Sequence, residues 1–151
     1  MLLDCAYLLY GNQGCNGGLM DNAFKFVKAK GIVHQDEYPY IAKRQTCQIK
    51  TGPFKIGSFT PINSCTNLAN ALTARPISVA VDATNWATYK SGTFSNCATK
   101  LNHGVLLVGM NDDYWTIKNS WSTKWGLEGY IHLSRGNTCG ICNQASYPSL
   151  A

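Results

Sequence analysis

Asn119-Ser120-Trp121-Ser122-Thr123-Lys124-Trp125-Gly126 is the stretch that decides how this chain reads, because His103 stands sixteen residues before it at the head of an apolar run, Val105-Leu106-Leu107-Val108. An asparagine can hold an imidazole in one tautomer by accepting from a ring N–H, and an indole two residues on can shield that bond from water. Taken singly, a histidine beside an apolar run is ordinarily structural, and an asparagine in a turn ordinarily serves its own backbone. The tryptophan at +2 and the Trp-Gly pair at +6 and +7 favour the functional reading. His103 follows a turn, so its ring is expected at the rim of a sheet. His103 is thus a candidate base and Asn119 its candidate orienter.

The rest of the chain bounds what such a pair can belong to. A length of 151 residues suffices for a compact core. With 45% hydrophobic and 14% charged residues, the composition argues for a globular fold and against disorder. The net charge is +5, but the basic residues are scattered, with no run or aromatic-interleaved patch. Nucleic-acid binding is not indicated. The longest apolar stretch, Val105–Met110, has the length of a strand, so no transmembrane segment is expected. Seven cysteines point to an oxidising compartment, although no signal peptide precedes the motif-bearing region in the chain as given.

Asp21–Lys30 reads as an amphipathic helix with Ala23, Phe24, Phe26 and Val27 on one face and Gly31 placed to stop it. Glu37-Tyr38-Pro39-Tyr40 is a turn with aromatic packing. From about Gly57 the texture changes to a short helix at Thr66–Ala74, capped by Ser64 or Thr66, followed by strand-like runs at Ile77–Val81, Val105–Met110, Tyr114–Lys118 and Tyr130–Leu133.

Several blocks carry a family likeness in order along the whole chain. Leu2–Cys5 and Gly14-Cys15-Asn16-Gly17-Gly18-Leu19-Met20-Asp21-Asn22-Ala23-Phe24 resemble the left-domain segment of papain-like cysteine proteases of the cathepsin L type. Leu101-Asn102-His103-Gly104-Val105 resembles their catalytic-histidine strand, and Asn119–Gly126 their asparagine loop. Cys139-Gly140-Ile141 with Ala145-Ser146-Tyr147-Pro148 resembles their C-terminal region. The resemblance implies an α+β fold of papain-like type. Residues 1–60 would be the remainder of a helical left lobe, and 61–151 an antiparallel, barrel-like right lobe carrying the histidine and asparagine.

The same resemblance implies roles for further residues. Trp121 covers the His103–Asn119 pair and Trp125 lines the primed-side floor. Gly17 and Gly18 pair with an extended peptide, where the plain alternative is a tight turn that needs glycine. Leu19, Met20, Ala80, Leu101 and Gly104 wall the pocket for the residue two before the cut, with Gln144 at its base and Asn102 beside it. Ser122 stands where the family usually has glycine, which requires a negative φ there. His34 and His132 match no family site and are expected on the surface.

Cysteine usage is also informative. By resemblance, Cys5 pairs with Cys47 and Cys97 with Cys139, which leaves Cys65 and Cys142 most economically paired with each other and Cys15 unpaired. No cysteine here stands in the Cys-Gly-Ser-Cys-Trp setting that usually supplies the nucleophile, and the family spacing of about 130–150 residues from nucleophile to histidine puts it roughly 30–45 residues before Met1. The chain is therefore expected to be inactive by itself, and an apolar face including Phe24 and Val27 is expected to lie uncovered. Cys139-Gly-Ile-Cys142 has the spacing of a redox or half-zinc motif, but it lacks a second CxxC, so no metal or cofactor is expected.

Two functions follow. The first is a papain-like endopeptidase, acting through a thioester on peptide or protein substrates in a lysosomal, vacuolar or secreted setting, with the N-terminal half of such an enzyme as a candidate partner. The second is a non-catalytic truncated homologue that serves as a peptide- or protein-binding module.

Overall fold

The computed structural model describes residues 1–150. It divides into two compact units: Met1–Thr60 with the residues from Pro148 onward, and Pro61–Tyr147.

The first unit is short of regular structure. It contains α1 (Leu2–Cys5), single 3₁₀ turns at Leu8–Tyr10 and Gly14–Asn16, and α2 (Met20–Lys30). Helix α2 begins with Asp21 in its first turn, ends with Lys28 and Lys30 in its last, and stops at Gly31, whose φ is 75°. Charges of those signs suit the two ends of the helix dipole, and glycine suits the exit. The core is small. Ala6, Phe26 and Val27 are buried, with Cys5, Tyr10, Ile32 and Ile56 packed around them. A buried carboxylate, Asp4, accepts from Tyr38 Oη at 2.8 Å and from the backbone N–H of Gln45 at 2.8 Å. The Cys5–Cys47 disulfide staples the same region. A unit with so little apolar interior depends on such cross-links.

Neither Phe24 nor Val27, expected to lie uncovered on α2, is exposed. Val27 is buried in this unit's own core, and Phe24 is half-buried and tilted against Phe59 with ring centroids 5.8 Å apart. Exposed apolar side chains of this unit include Leu2, Leu8, Leu9, Leu19, Ile41 and Phe54, with Leu19 a neighbour of the Gly17-Gly18 turn.

The second unit carries α3 (Cys65–Leu72), whose N-cap is Ser64, its hydroxyl accepting from Asn67 N. Leu68 and Leu72 bury one side of this helix. The strands are β1 (Ser58–Ile62), β2 (Ile77–Val81), β3 (Thr93–Phe94), β4 (His103–Met110), β5 (Tyr114–Lys118), β6 (Tyr130–Ser134) and β7 (Ala145–Ser149). They form one sheet in the order β1-β7-β2-β4-β5-β6-β3. That sheet is open, with β1 and β3 at its edges, and does not close into a barrel; the α+β class and the largely antiparallel sheet are as the sequence implied. One pairing also departs from an all-antiparallel arrangement: β3 runs parallel to β6. The interior is formed by Ile77, Val79 and Val81 of β2, Leu107 of β4, Trp115 and Ile117 of β5, and Ile131 and Leu133 of β6, all fully buried with Leu68 and Trp86. Strands β5 and β6 alternate buried and less buried residues, as half-buried strands do, whereas β2 is buried at four of its five positions. The Cys65–Cys142 and Cys97–Cys139 disulfides tie α3 and the loop before β4 to the same C-terminal turn.

Candidate active site

Strand β4 starts two residues earlier than the apolar run suggests, so His103 is its first residue, opposite Val81 of β2. Asn119 directly follows β5, which pairs with β4. The sheet therefore delivers both side chains to one end of adjacent strands. His103 Nε2 lies 2.8 Å from Asn119 Oδ1. The same oxygen accepts the backbone N–H of Ser120 at 2.8 Å.

That second bond settles the chemistry of the first. A backbone N–H can only donate, so the Asn119 atom it meets is the oxygen. An amide oxygen can only accept, so Nε2 of His103 carries the proton. In the neutral ring Nδ1 is then left with a free lone pair. The arrangement can take up a proton at Nδ1 while Asn119 keeps the ring from turning. Asn119 is itself buried, and its Nδ2 has no partner.

Aromatic rings enclose the pair. Trp121 stacks on His103 with centroids 5.0 Å apart and planes at 27°. Trp125 is buried beneath, edge-on to Trp121 at 5.3 Å. One ring in this cluster has no counterpart in the sequence reading. Trp86, wholly buried, meets His103 edge-on at 6.1 Å, stacks on Trp125 at 6.0 Å and accepts the Trp125 indole N–H on its carbonyl at 3.0 Å. Nothing local in Asn85-Trp86-Ala87 flags it, since its role is created by the fold.

Ser122 departs from the expectation of a negative φ: it adopts 75°. Its hydroxyl accepts from Lys124 N at 3.2 Å, which offsets part of the strain of a left-handed residue. The loop keeps the conformation a glycine would take.

The remaining candidate residues separate by unit. In the second, Ala80 of β2 lies opposite Gly104 of β4, and its N–H donates to the Gln144 carbonyl at 2.9 Å. Leu101 is half-buried and Asn102 exposed, both just before β4. In the first, Gly17, Gly18 and Leu19 line a cleft of about 200 Å3 with Leu2, Leu3 and Ala6, and Met20 opens α2. Gly17 has a φ of 117°, and a Cβ on Gly18 would press on the Asn12 side chain. Gly17 thus favours glycine for its backbone conformation, and Gly18 for its close approach to Asn12. His34 is exposed, while His132 is half-buried within β6 and stacked on Tyr114 at 3.9 Å. Cys15 is exposed and is the only free thiol among the described residues. No cluster of three His, Cys, Asp or Glu side chains that could hold a metal ion occurs among them.

Residues 1–149 match the family described as papain family cysteine protease. The chain belongs to the papain family. It is 48% identical to Cathepsin L 2 of Paramecium tetraurelia over 152 residues, covering 99% of this chain and 48% of that protein. It is 42% identical to mouse procathepsin L over 168 residues, covering 97% of this chain and 50% of that one. The chain thus spans about half the length of these curated relatives. Among solved structures, the Carica candamarcensis cysteine protease CMS1MS2, in complex with E-64, superposes with a TM-score of 0.91 at 33% identity, over 99% of this chain and 75% of that one.

Proposed function

We propose that this papain-family chain carries the base and its orienter for cysteine-type peptide-bond hydrolysis, with His103 as base and Asn119 as orienter. The observation that carries the reading is the 2.8 Å bond from His103 Nε2–H to an Asn119 oxygen already anchored by Ser120 N–H. It leaves Nδ1 bare for a thiol. The thiol gives its proton to Nδ1, and the thiolate attacks the scissile carbonyl. The imidazolium then protonates the leaving amine as the C–N bond breaks and a thioester remains. Water, losing a proton to the same nitrogen, hydrolyses the thioester and restores the thiol.

The thiol in this scheme is not one of the chain's own. Cys65, Cys97, Cys139 and Cys142 are spent in disulfides around the sheet, as is Cys5 with Cys47. Cys15 stands in Gly14-Cys15-Asn16-Gly17 and not in the Cys-Gly-Ser-Cys-Trp setting that usually supplies the nucleophile. The 151 residues by themselves are accordingly inactive. In the second unit, Ala80, Leu101 and Gly104 offer an apolar wall beside the neutral polar Asn102 and Gln144; in the first, Leu19 and Met20 are apolar and Gly17 and Gly18 offer backbone to an extended peptide. Three disulfides fit a lysosomal, vacuolar or secreted setting. No described helix is long and apolar enough to cross a membrane.

A second reading, a peptide- or protein-binding module without chemistry, is favoured by one observation, the commitment of six of the seven cysteines to disulfides. Reading the transcript upstream of the Met1 codon and assaying its full product on a fluorogenic peptide with a hydrophobic P2 residue separates the two. E-64-sensitive turnover that vanishes in His103→Ala is expected. A full product with no such turnover would leave the binding module.

A further inference from the structure

Asp82, just after β2, is 3% exposed, and no cation among the described residues is paired with it. Its charge is met by donors instead. Thr84 Oγ1 donates to Oδ1 at 2.6 Å, Thr84 N donates to the same oxygen at 3.1 Å, and Ala98 N donates to Oδ2 at 3.0 Å. The Thr84 hydroxyl has only one proton, and it goes to the carboxylate. Towards anything else that oxygen can only accept, and what it accepts is the Asn102 side-chain N–H at 3.0 Å. The direction of the chain is thereby forced, from Asn102 to Thr84 to Asp82.

Asn102 is held on its other polar groups as well. Its Oδ1 accepts Ala83 N at 2.9 Å, and its own N–H donates to Val81 O at 2.9 Å. One exposed asparagine thus grips Val81, Ala83 and Thr84, and the next residue is His103. A hydroxyl that donates to a carboxylate becomes a better acceptor, so the buried charge strengthens a bond that water would otherwise contest.

We propose that Thr84 is a positioning residue for His103: its hydroxyl ties Asn102 to buried Asp82, and the fixed Asn102 sets the direction from which the imidazole reaches Asn119. The importance of this for catalysis rests on the reading of His103 and Asn119 as the catalytic pair, but the positioning does not. The sequence carried a faint signal, since Asp followed two residues later by Thr is a local turn pattern.

The test is NMR of the 15N-labelled 151-residue chain, following the His103 Nε2 proton and the Asn102 side-chain amide. Thr84→Val keeps the shape and deletes the hydroxyl; Thr84→Ser keeps the hydroxyl. In T84V, with the sheet amides unchanged, exchange of the Nε2 proton is expected to rise about tenfold, the ratio for one hydrogen bond of ordinary net strength. T84S should stay at the wild-type rate. Should T84V fail to fold, Thr84→Cys, with its weaker donor and acceptor, should fall between wild type and a tenfold rise. A T84V or T84C chain with wild-type exchange would overturn the proposal. In the thiol-bearing enzyme, T84V should lower kcat and leave KM unchanged. Faster proton exchange with unchanged kcat would uphold the positioning and sink the catalytic reading of the pair.

Discussion

Trp121 lies flat across His103 while the residue as a whole stays 38% exposed. The indole stacks on the imidazole, stands at a steep angle to Trp86 and Trp125, and still keeps over a third of its surface in solvent. A side chain so placed adds little to the core but keeps water from competing for the bond between His103 and Asn119. In a locally dry setting that bond is stronger and turns less often.

Trp121→Ala should separate these two effects. The lost aromatic pair costs about 0.5–1.5 kcal/mol beyond area burial. The chain should stay folded, and urea titration should show a small shift in midpoint. Exchange of the His103 Nε2 proton should accelerate well beyond what that loss of global stability explains. Asn119→Ala should do both, because it leaves the Ser120 N–H and His103 Nε2–H unpaired, at about 1–3 kcal/mol for a stranded buried donor. If Trp121→Ala left the exchange rate unchanged, the shielding role would be wrong.

Asp82 makes stability depend on pH in a predictable direction. Hydrogen bonds from the Thr84 hydroxyl and N–H outweigh burial and hold its carboxyl below the ordinary 3.8. A depressed carboxyl contributes stability that is fully present above the unfolded value and is lost as pH falls through the folded one. Wild type should therefore exceed Asp82→Asn by a constant margin from pH 7 to about pH 5, on the order of 1–3 kcal/mol for bonds to a charged acceptor. The margin should shrink below 3.8. Urea midpoints at pH 7, 5 and 3 measure it, and a margin that grows on acidification would reverse the sign.

What the sequence made legible follows from how local each signal is. Strands β2 and β5 are marked by apolar, β-branched and aromatic runs, and both appear at the residues the sequence marks. Strand β4 gains His103 and Gly104 because pairing with β2, rather than hydrophobicity, decides where it starts. Strands β1 and β7 contain Pro61 and Pro148, which argue against a strand. β1 is tolerated at a sheet edge. The β7 pairing to β2 is confined to Ala145 and Ser146, short of Pro148. The family blocks drew attention to His103 and Asn119, whereas the contacts of Trp86 with His103 and Trp125, and the bond from Asn102 to Thr84, join segments that no single window contains.

Gly126 and Gly92 form a natural control pair. Both have positive φ, 57° and 78°, but a Cβ on Gly126 would lie 2.5 Å from the Tyr130 carbonyl oxygen, whereas one on Gly92 would meet nothing. Gly92→Ala should cost only the left-handed strain, roughly 1–2 kcal/mol. Gly126→Ala should cost that and a backbone shift beside Trp125, so it should be the more damaging by thermal melt. It should also disturb the His103 Nε2 proton, which Gly92→Ala should leave alone. Equal costs would mean that the loop after Asn119 yields freely.

The cysteine framework makes the last prediction. With Cys5–Cys47, Cys65–Cys142 and Cys97–Cys139 closed and Cys15 exposed, alkylation of the denatured, unreduced chain should label Cys15 and no other residue by mass spectrometry. Of the three bridges, Cys65–Cys142 spans the longest separation, 77 residues against 42 for the others. In the chain-entropy account a loop of that length constrains the unfolded state by about 4.5 kcal/mol, and the shorter ones by about 4. Replacing Cys65 and Cys142 with alanine should therefore destabilise the sheet more than replacing Cys97 and Cys139. The difference is a few tenths of a kcal/mol, as the logarithm of loop length dictates. Labelling at Cys65 or Cys142 in the unmodified chain would break the scheme, because α3 would then have no covalent tie to the C-terminal turn.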